Sequence, residues 1–239
     1  MFAVHVLLNT INNIVNGYWL YFAKRRNLDF VYTDKIVVQQ ELKPHPPKVH
    51  NIKIAIKIIE PIHILPNEIF SFSKIVGMPS KKKGFIPSRS IIGNKVEESI
   101  GGGICQVAGL IYYVSLIGNL EIIERYNHSM DIYNEETRFT PLGSDATVAY
   151  GYKDLKLKNT SKSPVNFKFQ IDDKYLTIEL NHCNELKKQK VEFRENSKNS
   201  KEIIIETVIN GKINNISTYK KKQSKYNWKV IISIIISFT

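Results

Sequence analysis

A cysteine acts as a nucleophile through its thiolate, which needs a positive local potential and a base to exchange its proton with. Cys105 has the surroundings for both. It follows Gly101, Gly102, Gly103 and Ile104, and the apolar residues after it, Val107, Leu110, Ile111, Val114 and Ile117, recur at offsets of three and four until Gly118-Asn119. That is the period of one helix face, so the spacing predicts a helix beginning at Cys105. Its sulfur then lies among the unpaired N–H groups of the first turn, where partial positive charge favours an anion. Such settings lower a cysteine pKa from about 8.5 to roughly 3.5–7.5. The glycines lack Cβ atoms and admit positive φ, so the N–H groups of Gly101, Gly102 and Gly103, with that of Cys105 or Gln106, are candidate oxyanion donors. The competing reading is a tight turn beside a small buried hydrophobe.

The base and its orienting acceptor are sought further along the chain. Leu120–Arg125 reads as a strand that delivers Tyr126-Asn127-His128-Ser129, and Gly143–Val148 reads as a strand carrying Asp145. His128 is the candidate base and Asp145 its orienter, with Arg125 and Ser129 beside them as candidate substrate contacts. The order Cys, His, Asp is the layout of papain-like and transglutaminase-like sites. Plainer readings stand beside each residue: an Asx-capped turn at Asp145, a surface pair between Arg125 and Glu121, an ordinary loop at His128. The second cysteine, Cys183, follows His182 at a strand end and reads as incidental. Two cysteines make no disulfide framework, and no CxxC or histidine-rich spacing suggests zinc, so neither metal nor cofactor is expected.

The elements that must position these groups predict an α+β fold, a mostly antiparallel sheet packed on a central helix that begins at Cys105. Val49, Ile52, Ala55, Ile56 and Ile59 share a helical face that Pro61 ends. Leu28–Tyr32, Ile62–Leu65 and Glu68–Phe72 read as strands, Ser73–Lys83 as an exposed loop, and Phe85–Val96 as a hairpin turning at Gly93-Asn94. Leu155–Asn159, Asn166–Ile171 and Tyr175–Leu180 alternate in polarity, the last two joined at Asp172-Asp173. Three regions follow: a helical segment over 1–27, a main domain over 28–182, and a lysine- and asparagine-rich extension over 183–239. The extension contains a hairpin around Asn210-Gly211, the preferred two-residue turn pair, and the apolar tail 228–239, read as a buried strand or a tail.

The chain has 239 residues, 43% hydrophobic, with a net charge of +12. That composition is globular. The charge comes largely from scattered lysine; no aromatic-basic motif accompanies it, so nucleic acid is not an expected partner. Residues 1–23 are partly apolar but interrupted by Asn9, Thr10, Asn12, Asn13 and Asn16, with no basic residues ahead of them. They read as an amphipathic helix rather than a signal peptide or a spanning segment. The expectation is a cytoplasmic or membrane-associated protein with peripheral membrane contact through its apolar termini.

Five blocks, in order, resemble a known family: Asn67-Glu-Ile-Phe-Ser-Phe-Ser, Gly101-Gly-Gly-Ile-Cys-Gln-Val, Glu124-Arg-Tyr-Asn-His-Ser, Gly143-Ser-Asp-Ala-Thr-Val and Asp154-Leu-Lys-Leu-Lys-Asn159. The stretch from 28 to 180 is similar to VanW-family proteins. That resemblance implies a link to glycopeptide resistance and, by analogy with members understood to be cysteine L,D-transpeptidases, a peptidoglycan stem peptide as partner and the cell envelope as workplace. Cys105 would attack the donor carbonyl, His128 act as base, Asp145 orient it, and Arg125 or a nearby lysine clamp a substrate carboxylate. A non-catalytic cell-wall binding or accessory role is the alternative.

Overall fold

A computed structural model describes residues 2–43, 45–92, 95–131, 140–199 and 201–221. It has four helices and thirteen strands among those residues. Every pair of named strands is antiparallel except one. The expected α+β class, with mostly antiparallel sheet, describes it.

Helix α1 (Phe2–Val15) leads through a short 3-10 turn (Tyr18–Leu20) to strand β1 (Asp34–Glu41). Helix α2 (Pro46–Ile59) starts on two prolines, whose missing N–H groups cost nothing in a first turn, and the His45 side chain accepts from Lys48 N. It buries Asn51, Ile52, Ala55, Ile56 and Ile59 along one stripe. Strands β2 (His63–Ile64) and β3 (Ile69–Ser71), helix α3 (Phe72–Val76), and the hairpin β4 (Pro87–Ile92) and β5 (Lys95–Ile100) come next. Helix α4 (Ile104–Ile117) buries Val107, Ala108, Leu110, Ile111, Tyr112, Val114, Ser115 and Leu116, so it is covered on nearly every side.

After α4 come β6 (Glu121–Glu124), β7 (Met130–Asp131), β8 (Lys156–Lys158), β9 (Val165–Ile171) and β10 (Tyr175–His182). Three strands close the described chain: β11 (Val191–Lys198), β12 (Glu202–Ile209) and β13 (Lys212–Lys221). The sheets run β1-β10-β9-β2, β3-β8-β6, β4-β5 and β11-β12-β13-β7. The pair β13–β7 is the parallel one. Asn210 and Gly211 both have positive φ (49° and 83°), as the predicted hairpin turn requires. One apolar core joins α2, α4 and the inner faces of β9 and β10, and Val191, Phe193 and Ile209 of the last sheet pack against it.

Several expectations change. Residues 28–32 form no strand; the strand of that region is β1, hidden from a hydrophobic pattern because it alternates exposed polar residues with few buried ones. The predicted loop over 73–83 begins with most of α3 and includes a 3-10 turn at Lys81–Lys83. Gly143–Val148 pairs with no strand. The loop around 132–139, the turn at 93–94 and the tail 228–239 lie outside the described residues. α1 is a helix, but it packs with its polar side inward: Asn13 is buried and its Oδ1 accepts from Lys156 Nζ at 2.7 Å, while Val4, Leu7, Leu8, Ile11, Ile14 and Val15 face outward.

Candidate active site

The glycine run bends the chain from β5 into α4 against the β4 strand. Gly101 and Gly103 have φ of 85° and 102°, and a Cβ on Gly102 would lie 2.2 Å from the backbone oxygen of Ser88. All three glycines are therefore demanded by backbone conformation or close packing. Asn51, fully buried on α2, locks the arrangement: its amide donates to Ile86 O and Gly102 O at 2.9 and 3.0 Å, and its oxygen accepts from Ile86 N at 2.9 Å. Gly101 N and Gly102 N donate to Ile86 O and Ser99 O, and Gln106 N donates to Gly103 O. These three expected oxyanion donors are already engaged by the protein. The Gln106 side chain reaches Glu41 O at 3.4 Å, away from the cysteine. Lys48, whose pKa is drawn down to about 8 by burial and by Lys43, flanks the turn: a Cβ on Gly103 would meet its Cγ at 2.5 Å.

Cys105 is the second residue of α4, with Gly103 as N-cap. Cys105 is half-buried, its sulfur lies 3.7 Å from Val148 O, and its thiol is coupled electrostatically to the His128 side chain. His128 Nδ1 donates to Asp145 Oδ2 at 2.6 Å, which leaves Nε2 as the ring nitrogen for the sulfur. The same carboxylate oxygen accepts His128 N–H at 2.7 Å, so both ring and backbone are fixed by one acceptor. Asp145 reaches this place because its segment crosses α4 at Gly109, where a side chain would meet Asp145 Cα at 3.4 Å.

The electrostatics favour an ion pair. Burial opposes the thiolate, but the hydrogen bond and charge of His128 outweigh it and hold the Cys105 pKa below the usual thiol value. Burial likewise opposes the imidazolium, but hydrogen bonds to Asp145 and Cys105 raise His128 to about 10. Asp145 is held well below the usual carboxylate range, against its own burial, by the His128 hydrogen bond and the Arg125 charge. Each of these shifts favours the ionised form of its group, thiolate, imidazolium and carboxylate, over the neutral one. Cys183 differs: burial pushes its thiol up.

Arg125 turns inward instead of toward a substrate or Glu121. Only 3% of its side chain is exposed. Nε donates to Asp145 O (2.7 Å), Nη2 to Asp145 Oδ1 (3.0 Å) and Gly143 O (2.9 Å), and the guanidinium lies 4.7 Å from the Tyr112 ring centre. Ser129 contributes its carbonyl, which accepts from Lys220 N. Two residues that the sequence did not suggest complete the cluster. Tyr219 Oη makes a short hydrogen bond to Asp145 Oδ1 and lies 3.3 Å from Arg125 Nη2, and Ser217 Oγ accepts from Arg125 Nη1 at 2.6 Å. They sit on β13, and nothing in a single sequence distinguishes them from other residues of an alternating strand. Among the described residues, no group of three or more His, Cys, Asp or Glu side chains is placed to hold a metal ion.

Comparison with known proteins bears on the same region. A fragment of the uncharacterized protein YoaR of Bacillus subtilis is 34% identical over 116 residues, 48% of this chain and 37% of that protein. The vancomycin B-type resistance protein VanW of Enterococcus faecalis is 32% identical over 126 residues, 53% of this chain and 46% of its own length. The matched stretches thus span less than half of either relative. No solved structure matches. Residues 47–181, which contain the glycine run, Cys105, His128 and Asp145, match the family described as VanW like protein, and the chain belongs to the VanW family.

Proposed function

We propose that the protein is a cysteine-dependent acyltransferase of the L,D-transpeptidase type acting on peptidoglycan stem peptides. The observation that carries this reading is the His128–Asp145 hydrogen bond beside Cys105 at the head of α4, with the thiol coupled to the imidazole, in the order of papain-like and transglutaminase-like sites. The Cys105 thiolate adds to the carbonyl of the diaminopimelate residue of a donor stem. The tetrahedral intermediate collapses as His128 passes its proton to the departing D-alanine nitrogen, leaving a thioester. An acceptor amine then attacks the thioester carbonyl, His128 takes the amine proton, and the thiolate leaves. Asp145 keeps the proton on Nδ1 and stabilises the imidazolium. The N–H groups of Gly103 and Cys105 are the remaining candidate oxyanion donors, since those of Gly101, Gly102 and Gln106 are engaged.

Incubation with a tetrapeptide-stem muropeptide and intact-protein mass spectrometry tests this. The expected result is an adduct on Cys105, minus the mass of D-alanine, that a free amine discharges. Saturable muropeptide binding that survives Cys105→Ser, without any adduct on the wild-type protein, would establish the alternative of a cell-wall binding or accessory protein.

The outward face of α1 supports peripheral membrane contact. Trp19, Leu20 and Tyr21 are also exposed after it, followed by exposed Lys24 and Arg25. An apolar helix face followed by interfacial aromatics and cations suits the surface of an anionic bilayer. At 14 residues the helix rises only about 21 Å, and no described helix is long and apolar enough to cross a membrane.

A further inference from the structure

Strand β13 lies beyond the family-matched residues 47–181, yet it meets the histidine segment at nearly every step. Ser217 Oγ takes Arg125 Nη1, Thr218 O takes Asn127 Nδ2 at 2.8 Å, Tyr219 Oη binds Asp145 Oδ1, Lys220 N donates to Ser129 O at 2.9 Å, and Lys220 and Lys221 pair with Met130 and Asp131 of β7. The period of two explains this division: Ser217 and Tyr219 point inward and are 1% exposed, while the intervening Thr218 uses its backbone carbonyl. The loop carrying Asp145 rests on the same sheet, because a Cβ on Gly143 would meet Phe193 of β11 at 2.7 Å and Ile205 of β12 at 2.8 Å. Tyr113 of α4 also packs edge-on to Phe193, with ring centres 5.4 Å apart.

We infer that the C-terminal sheet β11–β13 is a positioning element of the catalytic site, with Tyr219 and Ser217 holding the Asp145–Arg125 pair so that the free face of the carboxylate points at His128. The inference rests on the cysteine reading above and deepens it. Asp145 Oδ2 takes both His128 donors, while Tyr219 and Arg125 hold Oδ1 and so fix the rotation of the carboxylate. Tyr219 acts as a neutral donor, since burial and Asp145 together keep its hydroxyl protonated. Ser217 acts one bond further out, through Arg125. Neither touches the sulfur, so both are positioning residues.

Substrate-free alkylation of the full chain by iodoacetamide, read by mass spectrometry across pH, separates this inference from the reading beneath it. In the wild type, Cys105 labelling follows an inflection below that of Cys183. Tyr219→Phe removes one charge-assisted hydrogen bond and slackens the hold on His128. Its Cys105 inflection moves up by roughly one pH unit, and labelling at pH values below the inflection slows about ten-fold. Ser217→Ala moves it the same way by less, and Tyr175→Phe on β10 leaves it in place. Should Tyr219→Phe fail to fold, Ser217→Ala alone carries the test. A wild-type-like Cys105 inflection in a folded Tyr219→Phe or Ser217→Ala protein overturns the positioning role. A wild-type inflection no lower than that of Cys183 overturns the cysteine reading itself.

Discussion

Helices α1 and α4 are each 14 residues long and rich in apolar side chains, yet they use them oppositely. α4 sinks its apolar residues into the core and carries Cys105 in its first turn. α1 turns Asn13 toward the body, where Lys156 is buried between it and Glu124 with Nζ–O distances of 2.7 Å to both, and shows its leucines and isoleucines to the outside. A buried ammonium is tolerated only when it is paired and hydrogen-bonded. One charged residue on β8 has therefore set which side of α1 faces in. Periodicity finds a helix; the partner waiting for it decides its orientation.

Substitutions can break this contrast, beginning with the head of α4. Cys105→Ala should abolish adduct formation with unchanged far-ultraviolet dichroism, and His128→Ala should lower turnover by on the order of 10²–10⁴-fold, read as the rate of adduct discharge. Removing side chains behind the two heads gives the next largest difference. Leu110→Ala in α4 should cost about 2–5 kcal/mol in denaturant unfolding, whereas Leu7→Ala in α1 should change stability by less than about 0.5 kcal/mol. Equal losses would mean that α1 packs by its apolar face after all. For the polar side the order reverses: Asn13→Leu should cost about 1–3 kcal/mol by leaving Lys156 short of an acceptor. Replacing Leu7, Leu8 and Ile11 with serine should remove sedimentation with anionic vesicles while leaving the unfolding midpoint nearly unchanged. Retained sedimentation would shift membrane contact away from α1.

The smallest expected effect is a slope. The folded pKa of His128 is raised, so its stabilising contribution is complete below its unfolded value of about 6.5 and is lost as pH rises through about 10. The depressed Asp145 contributes above its unfolded value of about 3.9 and loses that contribution as pH falls toward its folded value. Midpoints measured between pH 6 and 10 should lose the alkaline slope in His128→Ala.

Much of the centre was legible because chemistry and pattern agreed there. Val107, Leu110, Ile111 and Val114 are buried on α4 as their spacing implies, His128 and Asp145 are hydrogen-bonded, and Cys105 is coupled to them. The glycines were legible as a feature but not in purpose, since the contact that forbids a side chain at Gly102 comes from Ser88, distant in sequence. Arg125 stands out in the sequence, but its direction depends on Asp145, Tyr219 and Ser217 meeting across three segments. Strand β1 is not legible because, at the edge of its sheet, it alternates too many polar residues to look like a strand. Asn51 sits within a recognised helix, and its three hydrogen bonds to distant backbone leave no local signal.

The inward turn of Arg125 also balances the books of the cluster. Thiolate and carboxylate supply two negative charges, imidazolium and guanidinium two positive ones, so the ionised assembly is neutral as a whole. Background electrolyte then has little net field to screen. An uncharged alkylating reagent should meet Cys105 at nearly the same rate in dilute buffer and in brine.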